Sequence, residues 1–263
     1  MNAQGELALV VRGARMQLRV IGALIIREMH TRFGRHYMGY IWLYFEPLLL
    51  GVCIGLIHAW RDRPMTFGPF EFHAVGYILF FVFRGILNRA TMAINMNRPL
   101  LYHRSVTLPD VFFARHVIEF LSCTGVMLAL LFGLFAVNGN LPESPIKMAL
   151  AMIMMALFSQ GLAFLAAALA AAVEGAERLV HALTYLLLPA SGLFFLVEWL
   201  PEWLEEMALW IPTVHLFELL RDGQFGSRFH AQYDLAYVWG WIMITHLLGL
   251  AALRITRARI GLE

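Results

Sequence analysis

Six apolar stretches organise this sequence: residues 38–60, 74–94, 117–137, 146–173, 179–197 and 235–253. Each is close to the roughly 20 residues that an α-helix needs to cross about 30 Å of hydrocarbon. In lipid no water completes the backbone hydrogen bonds, so only helices and closed barrels span it, and runs of this length suit helices. Composition agrees. Hydrophobic residues make up 60% of the chain and charged residues 14%, with mean hydropathy +0.67, against roughly 45–50% and 25% in soluble domains. The expected fold is all-α and integral to a membrane, with six transmembrane helices in one transmembrane domain over 1–263. No period of roughly 20–50 residues repeats, and no Ser-, Gly- or Pro-rich linker divides the chain.

The flanking segments differ in kind. In 6–35, Leu7, Val11, Ala14, Leu18, Ile21 and Ile25 step at three and four residues, with Arg12, Arg15 and Arg19 on another face. That pattern predicts an amphipathic helix lying in the membrane interface, followed by a basic connector. Nothing in residues 1–35 resembles a signal peptide. In 198–233, Glu198, Glu202, Glu205 and Glu206 forbid crossing, while Trp199, Trp203 and Trp210 suit the headgroup belt. The expectation there is short outer interfacial or re-entrant helices before the last span, broken at Pro201 and Pro212. With the N-terminus in the cytoplasm, fourteen arginines fall on the cytoplasmic side. Five basic residues (Arg61, Arg63, Lys147, Arg221 and Arg228) fall outside, with Arg84 inside the membrane. The positive-inside rule then places both termini in the cytoplasm.

Other classes are disfavoured. A net charge of +2 carries no nucleic-acid signature. There is no G-x-x-x-x-G-K-[ST], no H-E-x-x-H and no G-x-S-x-G, and the ten histidines lack metal-ligand spacing. The chain is expected to be no enzyme, with no catalytic residue, metal or cofactor of its own; any ATP is used by a separate subunit. Cys53 and Cys123 lie in apolar runs and are expected to be inert, buried residues.

Several residues stand out against this background. An arginine near mid-membrane is costly and should face a cavity or a partner. For Arg84 that means either an anionic glycan or lipid phosphate, or Glu46 of the first span. Arg89 lies one to two turns nearer the cytoplasm, at the mouth of the same path. Tyr40 and Tyr44, four apart, could line a path on which sugar rings stack, with Tyr37 and Arg35 at its entrance. Glu46-Pro47 reads as an arginine partner and a helix kink. His215, Glu218 and Arg221 share one helix face and read as a structural cluster. Gly51-x-x-x-Gly55 has the spacing of a helix-packing notch, open to a second copy.

The segment Arg27-Glu-Met-His-Thr-Arg-Phe-Gly-Arg35 leads into Met38-Gly-Tyr-Ile-Trp-Leu-Tyr-Phe-Glu-Pro47. This R-E-x-x-x-R-[FY]-x-x-x-x-x-G-x-x-W-x-x-x-E-P pattern resembles the start of ABC-2 type exporter permeases, and most of all the Gram-negative capsular polysaccharide export permeases of the KpsM type. Pro212-Thr-Val-His215-Leu-Phe-Glu218-Leu-Leu-Arg221 is similar to an outer element of the same family. Ile211 and Arg84 depart from it, standing where polar and small polar residues would be expected. The resemblance implies a coupling segment at 97–108, with Arg98, Leu100, Leu101, Tyr102, His103 and Arg104 facing an ATPase. It implies a homodimer with two ABC ATPase subunits that hold the ATP and Mg²⁺, together with periplasmic co-polymerase and outer-membrane export components. The implied function is ATP-driven export of lipid-linked, acidic capsular polysaccharide across the bacterial inner membrane. The alternatives are an O-antigen or teichoic-acid exporter permease and, from another class, an ion-coupled secondary transporter.

Overall fold

The computed structural model describes residues 3–33, 37–61, 68–102 and 106–259, with side chains except at 3–11, 14, 32–33, 37–43, 58–61 and 102. Arg35, His103 and Arg104 lie outside the described residues, as do the side chains of Tyr37, Tyr40 and Tyr102. The described residues form α-helices and short 3-10 turns without strands. In order the helices are α1 (Ala3–Phe33), α2 (Tyr37–Arg61), α3 (Pro69–Thr91), α4 (Ala93–Asn97), α5 (Leu108–Asn138), α6 (Pro145–Ala172), α7 (Ala176–Ala190), α8 (Glu202–Leu209), α9 (Pro212–Phe225) and α10 (Leu235–Arg259).

Local chemistry sets the boundaries. Helix α5 opens on a reciprocal cap in which the Asp110 carboxylate accepts from the Thr107 N–H at 2.9 Å and hydroxyl at 2.7 Å. It closes at Gly139, whose φ of 70° lets its N–H reach the Phe135 carbonyl at 2.8 Å. Pro145 and Pro212 start α6 and α9 at positions where no amide donor is needed.

Four of the described helices, α3, α5, α6 and α10, are long and apolar enough to cross a membrane, and α2 carries a shorter apolar stretch, Tyr44–Ile57. Helix α7 has 15 residues, about 22 Å at 1.5 Å per residue. It ends where Ser191-Gly192 turn the chain, Gly192 taking a φ of 100°. The apolar run continues to Leu196 as non-helical chain and ends in a 3-10 turn that Val197 begins, with Leu193, Leu196 and Val197 buried in the protein. The segment between α7 and α10 breaks where the prolines stand: Pro201 caps α8 and Pro212 begins α9.

Helix α3 is the centre, ringed by α2, α5, α6, α7 and α9, while α10 packs on α6 and α1 lies along α5. The outward faces of α5 and α10 are apolar, with Leu121, Leu128 and Phe132 on one and Met243, Leu247 and Leu248 on the other, all exposed. Faces of this kind are far larger than a monomer presents to water and match a lipid boundary. The same boundary corrects one expectation. Cys123 is buried, but Cys53 is exposed, because the apolar character of α2 there serves an outward face rather than the core.

Helix α1 docks in part through the apolar face expected of it, with Ile25 half-buried against the core. Leu24 and Glu28 are buried and Gln17 bonds to α5, whereas Leu18 is exposed. The Gly51/Gly55 notch is filled from within the chain: a Cβ at 55 would lie 2.8 Å from the Phe70 ring and 2.9 Å from its carbonyl oxygen. Gly55→Ala is therefore expected to destabilise the α2–α3 contact by about 1–3 kcal/mol through overpacking. A thermal melt in detergent, compared with Gly133→Ala, where a Cβ meets nothing within 4 Å, checks this.

Candidate translocation cleft and its charged junction

A cleft of about 140 Å³ opens between α2 and α3, lined by Glu46, Phe81, Arg84, Gly85, Asn88 and Arg89. Arg84 donates to the Tyr185 hydroxyl of α7, and its guanidinium carbon stands 4.4 Å from the Tyr185 ring centre. Tyr185, not Glu46, takes up the guanidinium; Glu46 faces the same cleft. Tyr185 is itself 55% exposed, so one face of this cation–π pair is open. One turn further along α3, Asn88 accepts from the Thr184 hydroxyl at 3.2 Å. Sequence reading placed Arg84 and Arg89 here but missed Tyr185 and Asn88. A lone tyrosine in the leucine-rich face of α7 is the signal that could have found the former.

Tyr44 lies outside this cleft. Its ring packs toward α5 at Gly125, where a Cβ would approach to 3.1 Å. Pro47 is buried inside α2.

Arg89 leads from the cleft to a chain of charges. Its Nε meets Glu119 at 2.7 Å, and its carbonyl accepts from Arg115 at 3.1 Å. Arg115 in turn pairs with Glu28 of α1 at 3.1 Å. Glu119 is 1% exposed; it lies so close to α3 that a Cβ on Gly85 would overlap its carboxylate. Alongside, Arg27 donates to Asn97 at 2.8 Å, Asn97 donates to the Ala93 carbonyl at 2.8 Å, and Gln17 bonds to Asp110. Helix α1 is thus fixed by polar bonds to α4 and to the start of α5. Arg27 and Glu28, which open the sequence motif, are two of the clamps. Glu119 and Arg115 went unnoticed in the sequence, although opposite charges four apart on an apolar helix mark one face.

The segment expected to couple to an ATPase differs from that expectation in what it presents. Arg98–Tyr102 form a 3-10 turn. Leu101 is buried in the core and Leu100 half-buried against it, so neither offers a side chain to a partner groove. Apolar side chains next to a membrane-protein core go into that core first. Met92, Asn95, Met96, Arg98 and Pro99 are the exposed residues here.

On α9, His215, Glu218 and Arg221 each tie down backbone of the neighbouring segments. Glu218 accepts from the Val197 and Gln232 amides, both at 3.2 Å, and burial pushes its carboxyl above the usual range. Arg221 donates to the carbonyls of Phe195 and, at 2.7 Å, Leu193, with its guanidinium carbon 3.7 Å from the Phe72 ring centre. Burial draws it down to about 9, against the opposing pull of Glu218. His215 Nε2 donates to the Leu209 carbonyl at 2.8 Å, while Nδ1 accepts from the Asp234 amide at 3.0 Å. Only the neutral ring satisfies both bonds. Burial lowers its pKa, opposed by the Leu209 bond and the Asp234 carboxylate. The unfolded chain therefore takes up this proton first. Stability is full above about pH 6.5 and falls as pH drops through the window from 6.5 to the lowered native value. Melts across that window are expected to show the fall, and His215→Gln to flatten it.

Among the described residues no grouping of His, Cys, Asp and Glu has metal-ligand geometry. A helical bundle with lipid-type outer faces, a charged cleft inside it and a polar junction at one end defines a membrane-embedded transport-type domain. The chain belongs to the ABC-2 type transporter family, whose model matches residues 19–225. It is 35% identical over 241 residues, 90% of each chain, to the capsule polysaccharide export inner-membrane protein CtrC of Neisseria meningitidis serogroup B. It is 32% identical to the capsule polysaccharide export inner-membrane protein BexB of Haemophilus influenzae, covering 91% of both chains. It is 27% identical to the polysialic acid transport protein KpsM of Escherichia coli, covering 92% of this chain and 95% of that one.

Proposed function

We propose that the chain is the membrane-spanning permease subunit of an ATP-driven exporter that moves lipid-linked, acidic capsular polysaccharide across the bacterial inner membrane. The observation that carries this reading is similarity along nine-tenths of both chains to two capsule polysaccharide export inner-membrane proteins. The open Arg84–Tyr185 pair supports the acidic substrate, since guanidinium and aromatic faces together suit carboxylate- or phosphate-bearing sugars.

In this reading α2 and α7 complete six spans, both termini are cytoplasmic, and two copies enclose the path. Two ATPase subunits, which hold ATP and Mg²⁺, dock on the exposed face of α4 and the turn after it. Periplasmic and outer-membrane components carry the polymer onward. Closure of the ATPases pushes Asn97. The Arg27–Asn97 and Glu28–Arg115 bonds pass that motion to α1 and α5, and the Glu119–Arg89 pair passes it to α3, which lines the cleft.

The test is complementation. Cells lacking the chain should retain polymer inside, and the chain with its ATPase should return it to the surface. Arg84→Ala should lower surface polymer at least about tenfold, in line with losing one charge-assisted contact worth about 1.5–3 kcal/mol, with basal ATP hydrolysis kept. Export that continues without any ATPase would overturn the reading.

A further inference from the structure

Helix α5 runs about 46 Å from the α1 junction to the 139–144 loop, so the far end of the bundle is set by its C-terminus. There a second, wider cleft of about 470 Å³ opens between the start of α6, the end of α9 and the chain leading into α10. Its size falls within the roughly 300–1,000 Å³ of ligand pockets. The arginine distribution puts this end outside the membrane.

The lining is chemically specific. Lys147, the only lysine among 20 basic residues, donates to Asp222 Oδ2 at 2.8 Å, and the Tyr233 hydroxyl donates to the same oxygen at 2.7 Å. Both bonds fall on one carboxylate oxygen, so in a cleft that Asp222 and Lys147 both line, Oδ1 and the further N–H donors of the ammonium are not used by these two bonds. Glu143 adds a second carboxylate; a Cβ on Gly226 would overlap it, so it lies flat against that glycine's backbone. Half-buried Phe229 forms the apolar wall. Two carboxylates against one ammonium leave a net charge of −1. An anionic group is repelled here, whereas sugar hydroxyls, which donate and accept at once, match carboxylate acceptors beside ammonium donors. A ring face on Phe229 completes the match.

We propose that this cleft is a sugar subsite that takes a neutral pyranose unit of the exported polymer on the outer face. The ring lies on Phe229, and its hydroxyls bond to Asp222, Glu143 and Lys147. The site rests on the polysaccharide-export reading. It differs in chemistry from the arginine-bearing cleft, since it selects hydroxyls over charge. Its openness suits a polymer that must be held briefly and released.

The single lysine supplies the experiment. The full transporter with its ATPase, in nanodiscs, is treated with an amine-reactive ester, and acylation of Lys147 is timed by peptide mass spectrometry. Maltohexaose serves as the neutral probe and a sialic acid oligomer as the anionic one. Occupancy slows the reaction by 1 + [L]/Kd. Maltohexaose at about ten times its Kd should therefore slow it about tenfold, and the sialic acid oligomer at the same concentration less than about twofold. Phe229→Ala and the exposed-site change Glu143→Gln should each weaken the protection, read as the ratio of each variant's own rates with and without maltohexaose. No protection by maltohexaose, equal protection by the anionic oligomer, or protection indifferent to both substitutions would overturn the subsite. Surface polymer is scored in parallel. A chain that exports polymer but shows no protection loses only this subsite; a chain that exports none loses the function reading itself.

Discussion

Arg115→Ala is expected to remove about 3–5 kcal/mol of stability, the scale seen when one member of a buried ion pair is deleted. Glu28, buried with it, loses the ion pair at 3.1 Å, and the carbonyl of Arg89 loses a donor. That is a large share of the roughly 5–15 kcal/mol by which a domain is stable. A double change, Arg115→Met with Glu28→Leu, separates stability from coupling. Replacing a buried pair by apolar residues of similar volume is often neutral or stabilising, so the double variant is expected to melt near the parent. Export should remain lost, because the polar link from α1 to α5 is gone. A double variant that folds and exports normally would show that α1 transmits nothing through this pair. The readouts are melting temperature in detergent and surface polymer in complemented cells.

Arg221→Lys is expected to behave as a severe change, not a conservative one. The guanidinium is 2% exposed, donates to two carbonyls and lies on the Phe72 ring. A lysine ammonium cannot stack flat on the ring while reaching both acceptors, and it is more strongly hydrated. The expected loss is about 2–4 kcal/mol, from two unsatisfied carbonyls and the stacking contact. The carbonyls belong to the irregular stretch after α7, so proteolysis near Leu193–Val197 should rise in step with the fall in melting temperature. A lysine variant that melts with the parent would mean that the turn holds its shape without these bonds.

The helices were legible wherever apolarity and length agree, as over α5, α6 and α10, because lipid and helix geometry impose the same roughly 20-residue measure. Legibility failed where apolar residues serve two purposes. Leu193 and Leu196 read as the end of a span, yet they are buried as irregular chain around Arg221. Leu101 read as an exposed docking residue, yet it anchors its own turn in the core. The cleft was half legible. Arg84 and Arg89 announce themselves by the cost of an arginine in lipid. Their partners Tyr185 and Glu119 lie 101 and 30 residues away, a pairing that no local pattern carries. The motif residues Arg27 and Glu28 were visible as a pattern; their work as clamps on Asn97 and Arg115 needed the tertiary fold.

The position of α3 at the centre of the bundle bears on how the protein is made. This helix emerges from the ribosome carrying Arg84, penalised by up to about 2.5–3.5 kcal/mol toward a helix centre on translocon scales, and Arg89 in its last turn. The groups that pair with them, Glu119 and Tyr185, belong to helices synthesised later. Helix α3 must then linger at the insertion machinery, or against α2 and its Glu46, until α5 arrives. Biogenesis of this chain is therefore a cooperative release of several helices into the bilayer, not a sequence of independent insertions.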